Sequence, residues 1–154
     1  MYFIILTLHS YIRWFVLGAL LITIVLAYYG WIKKKNFSAF DNRLRHITEK
    51  IVQIQFIFGI ILYCISPVVR TFFHDFKNTV HFRDIRFFGM EHGIMMILAV
   101  SLISIGSEKA KRKVIDQEKF KTIAIWFTIG LLVILSSIPW PFTGLVSRPY
   151  FRIF

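Results

Sequence analysis

The chain has 154 residues, 56% of them hydrophobic, with a mean hydropathy of +0.64. A soluble domain of that size is nearer about 45–50% apolar, and the length leaves no room for a second module beside one transmembrane domain over residues 1–154. The net charge of +11 invites a nucleic-acid reading, but the basic residues sit between apolar runs, as in membrane proteins, so no nucleic-acid partner is expected.

Four runs are each long enough to cross a hydrocarbon core, which takes about 20 helical residues. The first spans residues 2–32. It lacks a basic leader and is too long for a cleaved signal, so it is expected to stay in the mature protein. Lys33–His46 follows, with the Lys33-Lys34-Lys35 cluster and an expected turn at Asp41-Asn42. The second run covers 47–69 and ends in Ser66-Pro67. It contains Cys64, which as the only cysteine excludes an intramolecular disulfide and is expected to pack as a small hydrophobe. Arg70–Arg86 is a mixed-charge connector rich in Phe and His. The third run covers 87–106, Ser107–Lys119 continues it into water, and the fourth covers 120–138. Pro-Trp-Pro-Phe and Arg-Pro-Tyr in the tail 139–154 should break the helix at an interface.

Strands would be far shorter than these runs, so the expected fold is all-α: an integral membrane four-helix bundle with up-down-up-down topology. The first and third connectors, with their flanks, carry 12 basic residues, and the other side carries 6, including Arg148 and Arg152. That bias places the two connectors in the cytoplasm and both termini outside, N-out/C-out. The lipid bilayer is then the first partner.

Ionisable groups inside spanning segments are costly and mark functional positions by default. Glu49, Lys50 and Lys121 lie within a turn of the cytoplasmic ends, where they are expected to reach water. His9, Arg13, Glu91 and His92 lie deeper, all in the outer halves of their helices, while the cytoplasmic half reads as plain apolar helix. Two histidines on different helices at similar depth can ligate a b-type haem from both faces, with Gly18, Gly59, Gly93 and Ala99 making room for a flat ring. Counting at about 1.5 Å per residue puts His9 one turn further out than His92, and Arg13 level with Glu91. A structural ion pair between Arg13 and Glu91 is the expected arrangement; the functional alternative has Arg13 or Arg86 holding a haem propionate or a quinone oxygen. Gln55, Gly59, Tyr63 and Ser66 share one helical face and read as a packing surface. Met95 and Met96 read as gap fillers, and His74, Asp75, His81 and Asp84 match no closed metal motif. Hydrolase, nucleotide-binding and c-type haem motifs are absent from the sequence.

Several stretches recur together in one family: Leu8-His9-Ser10-Tyr11-Ile12-Arg13-Trp14, the Gly59 to Pro67 segment, Arg86-Phe87 before Glu91-His92 and Met95-Met96, and Ile138-Pro139-Trp140-Pro141-Phe142. Over nearly its whole length the chain resembles small bacterial four-helix membrane proteins labelled "cytochrome b". The resemblance implies haem b, with His9 and His92 as the matching histidines. Two functions are expected from these readings: a haem b electron-transfer protein with its site near the outer face, or a non-catalytic accessory subunit of a larger membrane complex. Neither requires independent catalytic activity.

Overall fold

The computed structural model describes residues 1–142 and 146, and these are helical with no strand among them. Arg148, Arg152 and the Arg-Pro-Tyr turn lie outside the described residues. The helices are α1 (Tyr2–Ile32), α2 (Ala39–Ile65), α3 (Pro67–His74), α4 (Phe76–Thr79), α5 (Arg83–Arg86), α6 (His92–Arg112) and α7 (Asp116–Ser136). A π-helical turn, Phe87–Glu91, joins α5 to α6.

Local chemistry sets the boundaries. The Lys34-Lys35 segment closes α1: Lys35 N–H reaches the Gly30 carbonyl at 3.0 Å while Lys34 takes a left-handed φ of 51°. Asp41-Asn42 is not a turn. Ser38 caps α2 by accepting from Asp41 N–H at 3.2 Å, and the Asp41 carboxylate accepts from Ser38 N–H at 2.9 Å, so the helix starts eight residues before the hydropathy run at Ile47. It stops at Ile65 because Pro67 disfavours a helical Ser66, whose side chain then caps α3 while Pro67 opens it. The run expected to reach Val69 is thus two helices.

Four segments are long and apolar enough to cross a membrane: Tyr2–Ile32, Ala39–Ile65, the continuous Arg83–Arg112, and Asp116–Ser136. This is the architecture of a multi-pass membrane protein. α1 packs on α2 and α7, and α6 packs on α7 and α2, which closes a ring of four helices. Leu20, Ile103, Ala124 and Phe127 fill its core. Small residues let the helices approach: a side chain at Gly30 would run into Phe120, and one at Gly130 into Ile103. The outward faces are equally apolar, with Phe15 71% exposed, Ile57 55% and Leu132 60%. In water such a surface would aggregate; against lipid it is the expected exterior.

The end of the ring formed by the first turns of α2 and the last of α6 is not plain apolar helix. Glu49 does not reach water there. Its side chain is 8% exposed and lies 3.7 Å from Arg45, which is 4% exposed. Ser107 Oγ donates to Glu49 Oε2 at 2.7 Å, Gln53 donates to Oε1 at 3.2 Å, and Arg45 donates to Asn42 and to the Ser107 side chain and carbonyl. Thr23 and Thr48 meet nearby at 2.7 Å. The sequence separation of 58 residues between Glu49 and Ser107 hides the cluster from any local reading. Lys50 and Lys121 do lie exposed.

Candidate functional site

The early turns of α1 and α6 face the late turns of α2, and between them lies a cavity of about 420 Å³. α1 contributes His9, Arg13 and Val16; α2 contributes Val52, Gln55, Gly59 and Tyr63; α6 contributes His92, Gly93 and Met96. Phe72, Phe73 and Phe76 of α3 and α4 cover one end. His9 is within electrostatic range of both His92 and Arg13, so the two histidines share this space despite the one-turn offset expected from counting.

Each histidine is prepared differently. His92 Nδ1 lies 2.9 Å from the Ser137 carbonyl, just past the end of α7. A carbonyl only accepts, so Nδ1 carries the proton and Nε2 keeps its lone pair; metal-ligating histidines are oriented in this way. His9 Nδ1 is buried without a hydrogen-bond partner among the described residues. The wall opposite His9 is cut back at Gly59, where a side chain would stand 3.4 Å from His9 Cε1. Gly93 does the same beside the Tyr63 ring, at 3.5 Å. Two imidazoles, one with its tautomer set and one with an unpartnered nitrogen, in an apolar slot with glycine walls, form a donor set that fits haem b. Gly18 and Ala99 do not line the cavity.

The π turn decides where His92 points. A π-helical turn bonds i to i+5 and shifts all that follows relative to an α-helix. Phe72 packs on Gly89 so closely that any side chain there would collide with its ring, and Tyr63 Oη donates to the Gly89 carbonyl at 2.5 Å. The same turn corrects the expected ion pair. Its i to i+5 bonding brings Arg86 and Glu91, five apart, to one face, and Arg86 Nε meets Glu91 Oε1 at 2.6 Å. Glu91 is therefore engaged by Arg86 rather than by Arg13. Arg86 also donates to the Val80 carbonyl at 3.1 Å and does not line the cavity, whereas Arg13 does and stacks on Trp14 at 5.4 Å.

Other expectations shift as well. The stripe of Gln55, Gly59 and Tyr63 is the cavity wall, not a tight helix interface. Met96 lines the cavity, and Cys64 is exposed rather than packed. His74, Asp75, His81 and Asp84 are all exposed, and no cluster of three or more His, Cys, Asp or Glu forms among the described residues. Sequence reasoning missed the Ser137 carbonyl, which no side-chain pattern reports, and the Phe72–Gly89 contact, for which the buried Gly89 ahead of His92 was the available signal.

Comparison with family models, with curated proteins and with solved structures finds no match for this chain. Fold and site together define a class: a membrane protein of four spanning-length helices with an apolar cavity that gathers His9, Arg13, Gln55 and His92.

Proposed function

We propose that this protein is a haem b-binding electron-transfer protein of the bacterial inner membrane. The observation that carries the reading is the pair of histidines from α1 and α6 on one cavity, with His92 Nδ1 committed to the Ser137 carbonyl. His9 and His92 would hold the iron, Gly59 and Gly93 would leave room for the ring, and Arg13 would balance a propionate. The bound group supplies one-electron redox chemistry. The chain would supply imidazole nitrogens, an apolar surround and a fixed His92 tautomer.

The bias of basic residues supports an up-down-up-down arrangement with both termini outside, which sets this cavity in the outer half of the membrane. A quinol and an outer carrier are the electron partners that fit that position, and other membrane subunits fit the apolar exterior.

The test is a visible spectrum of the purified protein after haem-replete expression. A Soret band and a sharpened α-band on dithionite reduction are expected, and both should vanish in His92→Ala while the detergent-solubilised fold persists by circular dichroism. A colourless wild-type protein would end this reading and leave the accessory-subunit alternative, for which stoichiometric copurified partners are the diagnostic.

A further inference from the structure

Gln55 carries a requirement that the histidine pair does not meet. Its Nε2 donates to the His9 carbonyl at 2.8 Å, and because that carbonyl only accepts, the amide cannot be turned round. Among the described residues, Oε1 is left buried with no hydrogen-bond partner in a residue that lines the cavity. Stranded buried acceptors are rare in folded proteins and point to a donor other than the described residues, such as a bound molecule. An iron porphyrin does not supply one, since its ring is apolar and its ionised propionates accept. The occupant of this corner must donate.

The mouth of the cavity restricts the occupant further. Ile60 of α2 and Ile94 and Ile97 of α6 all line the cavity, yet they are 47%, 56% and 56% exposed. Residues that touch both the cavity and the surroundings mark its openings: Phe73 and Phe76, 63% and 52% exposed, flank one at the α3–α4 end, and the three isoleucines flank the other, between α2 and α6. Both of these last helices are of spanning length and composition, so the opening between them faces hydrocarbon rather than water. Along α2 the cavity runs from Val52 to Tyr63, about 16 Å at 1.5 Å per residue, and Gln55 lies about 6 Å below the Gly59 level where the His9 ring packs.

We propose that the Gln55 end of the cavity binds a lipophilic molecule with a hydroxyl-bearing ring, of the isoprenoid quinol class. It enters from the bilayer between Ile60 and Ile97 and donates its hydroxyl to Gln55 Oε1. The oxidised quinone, whose ring oxygens only accept, cannot make this bond, so the site prefers quinol to quinone. The site stands on Gln55 and the mouth alone.

The experiment uses the full chain in liposomes with a photoreactive isoprenoid quinol. Labelling is expected on peptides flanking Ile60 and Ile97. Unlabelled quinol should displace the label about tenfold better than the matching quinone, the worth of one neutral hydrogen bond. Ile97→Trp should block labelling, and Ile60→Trp narrows the same mouth from α2 if the first variant folds poorly. Leu132→Trp, on the outward face of α7, should leave labelling unchanged, and Gln55→Met should erase the preference for quinol. Label spread evenly over the outward helix faces, insensitivity to both mouth variants, or equal displacement by quinol and quinone would overturn the proposal; equal displacement would mean that water satisfies Gln55. None of these readouts uses a haem band, so a colourless protein that passes keeps this site and loses only the haem reading.

Discussion

Replacing Glu49 by alanine isolates the energetics of the buried polar cluster. In the wild type the carboxylate is held by Arg45 at 3.7 Å, by Ser107 at 2.7 Å and by Gln53 at 3.2 Å, with both charged side chains under 10% exposed. Removing it leaves the Arg45 guanidinium buried with hydrogen bonds to Asn42 and Ser107 but no countercharge. Breaking a buried pair from one side costs about 3–5 kcal/mol, whereas replacing both members with apolar residues is often nearly neutral. At about 2–4 °C per kcal/mol for a chain of this size, Glu49→Ala should lower the melting temperature by roughly 6–20 °C. The double variant Arg45→Met/Glu49→Leu should recover most of that loss. The assay is thermal unfolding in mild detergent followed by circular dichroism, with all three variants in one double-mutant cycle. A Glu49→Ala shift below about 2 °C would mean that the pair is effectively solvated, and the burial argument would be refuted.

Three further outcomes follow from single contacts. Gly89→Ala places a methyl in the Phe72 ring and should cost about 1–3 kcal/mol, read as a lower melting temperature, because a packed aromatic cannot yield without moving α3. Tyr63→Phe removes the bond to the Gly89 carbonyl and should cost about 0.5–1.5 kcal/mol by the same measurement; hydrogen exchange should rise at Phe87–Glu91 but not in α7. Ser38→Ala removes the cap of α2 and should cost about 1 kcal/mol, with faster exchange confined to the first turn of that helix.

Helicity, and four segments long and apolar enough to cross a membrane, are legible in the amino-acid sequence alone. Hydropathy is a sum over neighbours in the chain, so length and lipid compatibility are readable without any tertiary contact. It also picked out His9, Arg13 and His92, because ionisable groups in apolar runs stand out on cost alone. Helix ends were less legible: the Ser38–Asp41 box was written in the sequence but masked by the polar stretch around it, and Ser66-Pro67 divides a run that hydropathy joins.

Which polar groups meet depends on how the helices pack. Glu91 lies with Arg86 because a π turn brings residues five apart to one face, a register that no α-helical count anticipates. Glu49 is buried because Ser107, 58 residues away, packs over it. Gln55 belongs to a cavity wall rather than a packing seam because His9, Arg13 and His92 from α1 and α6 line the same cavity. In each case the cause is physical and nonlocal: composition sets the cost of a polar group in lipid, and only the packed helices determine how that cost is met.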